Sequence, residues 1–239
     1  MIKNTHRSAV DAIAGWIVGG SVAAGAALPT EPEAAARLGI SRTIVREAVK
    51  TLVAKGLVST GPRVGTRARA VDQWNMFDAD VIGWRLAAGV DADFVRDLME
   101  LRLVIEPSAA ALAAGRAKDA DIACISAAFE AMGAGVEGVG SFLEADLAFH
   151  KSILRATHNQ FFAGLVPVVD AVLRVSFKLS VKNRDSARSS LPLHQRVLAA
   201  IAAGDADAAG AAMNGLISSA RRDIESDMQK DGFLMGDAA

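Results

Sequence analysis

Tyrosine is absent from this chain, cysteine occurs once, and aromatic residues make up 5% of the 239 positions. The lone Cys124 cannot close an internal disulfide, which excludes a disulfide-stapled scaffold. No uninterrupted apolar run approaches the roughly 20 residues of a membrane span, and no basic-then-apolar leader opens the chain. A soluble, cytoplasmic protein is expected, with Cys124 as a small core residue. Long β-branched runs are also scarce, so little sheet is expected. What is present is apolar and helix-forming: 51% hydrophobic and 22% charged, with abundant Ala, Leu, Arg and Glu. That composition and length allow a sizeable core and two modest domains of mainly α structure.

Charge is balanced overall, at −1, but not along the chain. Residues 1–72 carry ten Lys and Arg against five acids, and the remainder carries sixteen against twenty-two. The two parts therefore face different partners, and a basic N-terminal module suggests a polyanion.

Local patterns in that module are specific. Residues 6–18 place Val10, Ile13, Trp16 and Ile17 at helical spacing before Gly19-Gly20, which predicts a first helix. Thr30 is placed to cap a short helix over 31–38, Gly39 to end it, and Ser41 to cap a second helix reaching about Lys55. Two short helices joined by a tight turn predict a helix-turn-helix. Val45, Val49, Leu52 and Val53 are expected to face its core. Arg42, Thr43 and Arg46 project from the first turns of the second helix, the end that meets bases and phosphates. "GLVSTGPRVGTRA" reads as two short strands with a Gly-Pro-Arg tip, a wing that carries Arg63 and Arg67.

The stretch "LPTEPEAAARLGISRTIVREAVKTLVAKGL", with its Gly-rich wing, resembles the winged helix of the GntR family of bacterial transcriptional regulators. The resemblance runs nearly continuously over residues 28–68. It implies double-stranded DNA as partner and places Arg42, Thr43, Arg46 and Gly65 at DNA-contact positions; Ser41 and Arg63 complete the expected DNA-binding set. Pro32 stands where the family often has a basic or polar residue, and the resemblance does not extend to a backbone contact there.

The predicted boundaries are 1–70 for the winged helix-turn-helix, 71–92 for a linker and connecting helix, and 93–230 for a helical domain. In the connector, Trp74 and Phe77 are expected to anchor the chain. Periodic segments follow at about 79–89, 93–114, 118–134, 139–157, 160–182, 187–203 and 205–228, separated by breaks such as "GVEGVG" and "AAGDAD". These predict an all-helical bundle whose pockets form between facing helices.

Ionisable residues interrupt the apolar faces of that bundle. Asp146 and His150, four apart, share a face with Leu143, Leu147, Ile153 and Leu154. His194 shares one with Leu191, Leu198 and Ile201, and Arg102 falls among Val95, Leu98, Ile105 and Ala109. Burying such groups unpaired costs several kcal/mol each, so they need partners. Spacing alone leaves two readings. One is a metal site; the other is an Asp146–His150 ion pair with His194 as a hydrogen-bonded core residue. His6 and His158 read as surface and loop residues.

"EADLAFHKSIL", then "ATHN" and "HQRVLAAIAAGDADAA", resemble the FCD effector-binding domain of the FadR-type branch of GntR regulators. The resemblance covers roughly 93–228 and implies that Asp146, His150 and His194 hold a divalent metal, zinc first, with nickel, manganese or iron as alternatives. Leu216 replaces the further histidine that the branch commonly has. The family's effectors are commonly small carboxylates, which a metal and Arg102 suit together. Ser189, Ser190, Ser218 and Arg222 are additional polar candidates. "QWNMFDADVIGW" and "ISSARR" further resemble a subgroup that responds to sugar acids, galactonate-type aldonates among them.

Together these readings predict a homodimeric repressor, released by a sugar acid from two-fold-related DNA half-sites. Two rivals are a metal-dependent enzyme built on Asp146, His150 and His194, and a non-metal regulator of the acyl-CoA-binding kind. In the second, those three residues would have no reason to converge.

Overall fold

Helix α1, Ile2–Val18, buries Ala9, Val10, Ile13, Ala14 and Ile17 along one stripe, the spacing expected of an amphipathic helix. The computed structural model describes residues 2–89, 91–180 and 184–230. The chain forms two compact units, Met1–Val90 and Asp91–Ala239, each with its own core.

In the first unit, helix α2, Glu31–Leu38, begins where Glu33 reaches back to accept from the Thr30 amide and hydroxyl, both at 2.8 Å. It ends at Gly39, whose φ of 65° a β-carbon would penalise. Helix α3, Arg42–Ala54, starts where the Ser41 hydroxyl accepts from Ile44 N–H. Its buried face is Val45, Ala48 and Leu52. Val53, expected on that face, is 40% exposed, because the 45–48–52 stripe turns residue 53 toward solvent. Strands β1, Val58–Gly61, and β2, Gly65–Ala68, pair antiparallel with Ser59 opposite Arg67 and Thr60 opposite Thr66, forming the wing.

Helix α4, Ala79–Ala88, packs on α1 within this same unit. Lys55, which caps the C-terminus of α3, reaches Asp78, the N-cap of α4, at 2.7 Å and Asp80 at 2.8 Å. Asp80 also takes Arg7, and Trp84 donates its indole N–H to Asp11 at 2.9 Å. Trp74 is buried with its indole donating to the Arg69 carbonyl, whereas Phe77, expected to anchor the connector as well, is 59% exposed.

The second unit is an all-helical bundle among the described residues: α5, Ala92–Arg116; α6, Asp119–Val136; α7, Phe142–Ala156; α8, Gln160–Gly164; α9, Val166–Ser180; α10, Arg184–Ala202; and α11, Ala206–Lys230. Helix α5 lies against α11, α7 and α10, and α7 packs between α6 and α9. A β-carbon at Gly135 would come within 2.7 Å of the Phe142 backbone, so this glycine lets α6 and α7 close together. Lys151 pairs with Asp170 at 2.7 Å and Arg174 with Glu144, pinning α7 to α9.

The segment expected as one helix over 160–182 divides at Leu165 into α8 and α9. Pro167, second in α9, has no N–H to give to the preceding turn and therefore fits a helix start, not an interior. Residues 181 and 182 of that segment, like Met1 and Val90 elsewhere, lie outside the described residues. Cys124, expected in the core, is exposed on α6, since Ile125 and Ala128 carry that helix's buried stripe.

Candidate metal centre and nucleic-acid interface

In the second unit, α5, α7, α9, α10 and α11 surround a cavity lined by Arg102, Asp146, His150, Ser176, His194 and Leu216, among others. Asp146, His150 and His194 each offer one ligand atom, and the three lie within 4.8 Å of one another. Both imidazoles are 3% exposed, and the Asp146 side chain is 13% exposed.

The two histidines are oriented from behind. His194 Nδ1 lies 2.9 Å from the Ser190 carbonyl, which can only accept, so Nδ1 carries the ring proton. With Nδ1 so engaged, Nε2 faces Asp146 Oδ1, 2.9 Å away and without a hydrogen bond between them. A cation between this buried nitrogen and the carboxylate oxygen would satisfy both. His150 turns Nδ1 against Glu106 Oε2 and leaves Nε2 3.8 Å from Asp146 Oδ1. Two Nε2 atoms and one carboxylate therefore converge, a donor set suited to a divalent ion of intermediate softness. Leu216, 5% exposed, lines the same cavity and offers no donor.

Glu106 escaped the sequence reading. It is 2% exposed and takes Arg102 Nε at 2.6 Å, while Arg102 Nη1 donates to Ser176 Oγ at 3.2 Å. Burial works against its ionisation, but Arg102 and His150 outweigh that and hold its carboxyl at about 2. For Asp146 burial again opposes ionisation, and His194, His150 and Arg102 keep the carboxyl below its ordinary range.

Hydroxyl-bearing residues also line the cavity. Ser189 and Ser190 both line the cavity. Their hydroxyls donate to the Ser186 and Ala187 carbonyls, at 2.9 and 2.8 Å, which leaves the oxygens as acceptors. Ser219 and Asp223 line it as well, whereas Ser218 donates to Asn214 and is not a lining residue. Arg222 is exposed and does not line the cavity either. His158 contacts Asp121 at 2.7 Å, and His6 lies 3.4 Å from the Thr51 hydroxyl.

In the first unit Ser41, Arg42, Thr43 and Arg46 are all exposed at the start of α3, where the helix dipole is positive. Arg46 is held by Glu31 through paired contacts of 3.0 and 2.7 Å. Arg63 and Gly65 are exposed at the wing, Arg63 with a left-handed φ of 66°. Arg67 donates to the Gly25 carbonyl.

Comparison with known proteins agrees with both units. Residues 5–67 match the bacterial regulatory proteins of the gntR family, and residues 97–219 match the FCD domain. The galactonate operon transcriptional repressor of Escherichia coli is 32% identical over 208 residues, 86% of this chain and 91% of that protein. Among solved structures, a GntR protein of Streptococcus agalactiae shares 26% identity at a TM-score of 0.50, over 91% of this chain and 99% of the other. The Listeria monocytogenes protein Lar, described as controlling expression of the agr system, shares the fold at a TM-score of 0.67 and 18% identity, over 92% and 96%. No described helix is long and apolar enough to cross a membrane. The chain therefore belongs to the GntR family of bacterial regulatory proteins, in the branch with a C-terminal FCD domain, and is a DNA-binding transcription regulator rather than an enzyme.

Proposed function

We propose that this regulator is a homodimeric repressor, released from DNA by a small sugar acid bound in the cavity of its FCD domain. The observation that carries this reading is the cavity's polarity. Its lining combines Arg102 and the convergent Asp146, His150 and His194 with Ser189 and Ser190, whose hydroxyls are already spent as donors and can only accept. A ligand suited to both sets of groups carries a carboxylate and hydroxyl donors, as an aldonate does. The relative that represses a galactonate operon supports the same choice.

Asp146, His150 and His194 would hold the ion, zinc by preference with nickel, manganese or iron as alternatives, and its chemistry there is positive charge opposite an effector carboxylate. Arg102 orients the carboxylate as a fork, and Ser190 accepts from a hydroxyl. Arg222 would act only at the rim. On the DNA side Ser41, Arg42, Thr43 and Arg46 enter the major groove, with Arg63 and Gly65 of the wing beside the backbone. One short recognition helix reads few bases, so two copies on two-fold-related half-sites supply useful specificity. On this reading residues 1–70 bind DNA, 71–92 connect, and 93–230 sense.

An operator fragment selected by the purified protein from a random duplex pool tests the proposal. Galactonate and related aldonates, added with zinc present, are expected to weaken its binding by about tenfold or more. Operator affinity indifferent to every aldonate tried overturns it.

A further inference from the structure

One carboxylate touches both halves of the candidate site. Glu106 stands one turn after Arg102 on α5, and the two side chains are 2% and 4% exposed. Its Oε1 takes Arg102 Nε at 2.6 Å; its Oε2 lies against His150 Nδ1, on α7. We propose that Glu106 is a positioning residue that couples ion binding to effector binding. The inference rests on the metal reading above.

Three consequences follow from its placement. His150 Nδ1 and Glu106 Oε2 have no other partner, so a proton on Nδ1 is what makes this close pair attractive; Glu106 thereby favours the tautomer that leaves the His150 Nε2 lone pair facing Asp146. Without it the ring is free to adopt the other tautomer, which has no lone pair at Nε2. Second, Glu106 occupies Arg102 Nε while Ser176 takes Nη1, which fixes the guanidinium plane at the cavity wall.

The third consequence concerns charge. With neutral imidazoles, Arg102 and Glu106 cancel, and Asp146 leaves the buried cluster with one negative charge. A divalent ion turns that into one positive charge, and a monocarboxylate then makes the cluster neutral. With Glu106 removed, the same ion would enter an already neutral cluster and leave two positive charges buried. Among the buried groups, with the exposed Asp223 of the lining left to solvent, Glu106 thus makes the doubly occupied cluster the electrically neutral one, so ion and acid each favour the other.

The test uses the full chain with Zn2+ as probe, its affinity measured by competition with a chromophoric chelator, in wild type, Glu106→Gln and His194→Ala. Nitrogen-15 NMR of the zinc-loaded wild type reads the His150 tautomer directly. Glu106→Gln is expected to bind zinc about 10–100-fold more weakly, and His150 to show ligation at Nε2 with Nδ1 protonated. Ligation through Nδ1 overturns the proposal, and that readout stands even where the variant fails to fold. A zinc affinity for a folded Glu106→Gln within about threefold of wild type also overturns it. If His194→Ala alone weakens binding, the positioning role fails while the metal reading survives; if wild type binds no zinc, both fail.

Discussion

Each unit holds an arginine–glutamate pair of similar length, and the surroundings of the two differ completely. Arg46 and Glu31, 2.7 Å apart, are 59% and 36% exposed; Arg102 and Glu106, 2.6 Å apart, are 4% and 2% exposed. The outer pair is hydrated and screened, so a phosphate can replace Glu31 at small cost. The inner pair has given up its water, and neither member can leave without stranding a buried charge. The same two side chains thus make an exchangeable contact in one unit and a fixed framework in the other.

The comparison breaks most easily at the buried pair. Arg102→Met is expected to destabilise the helical unit by about 3–5 kcal/mol, because Glu106 loses its charge partner. All three tryptophans, Trp16, Trp74 and Trp84, lie in the first unit. Urea unfolding followed by far-ultraviolet circular dichroism should therefore shift while the tryptophan fluorescence transition stays in place. Coincident shifts in both signals would sink the idea that the pair serves its own unit alone.

Acid should erode the inner pair next. The Glu106 carboxyl is depressed from 4.5 to about 2, so its contribution is complete above 4.5 and is lost as pH falls from there toward 2. The stability gap between wild type and Glu106→Gln is expected to close over that window. A gap that stays constant between those limits counts against the ionised pair.

The smallest effects belong outside. Glu31→Gln should leave the tryptophan transition unmoved, since exposed pairs contribute little. Arg46→Ala should weaken binding to all duplexes alike and lower the salt slope of log affinity by about one. A selective loss for one base pair would instead make Arg46 a base reader.

The sequence exposed the DNA-binding unit readily because its markers are local. Thr30, Gly39 and Ser41 sit at fixed offsets from the helices they bound, and each works on its own turn of chain. In the second unit Asp146 and His150 were legible for the same reason, one turn apart on an apolar helix. Glu106 was not, since its partner His150 lies on another helix and the apolar Ile105 beside it drew the stripe one position off. The true stripe on α5 is Val95, Leu98, Arg102, Glu106, Ala109 and Ala113, and its spacing of three and four could have revealed the glutamate. Val53, Phe77 and Cys124 misled in the opposite sense, because an apolar side chain does not have to be buried.

Lys55 is one of the links between α3 and the rest of its unit. It joins the end of α3 to the start of α4 through Asp78 and Asp80, with the Asn75 amide bonded to its carbonyl at 3.0 Å. In mechanical terms the two helices share a welded joint. On the proposed DNA reading, a turn of α4 would reach α3, and with it Arg42 and Thr43, through this joint instead of being lost as slack.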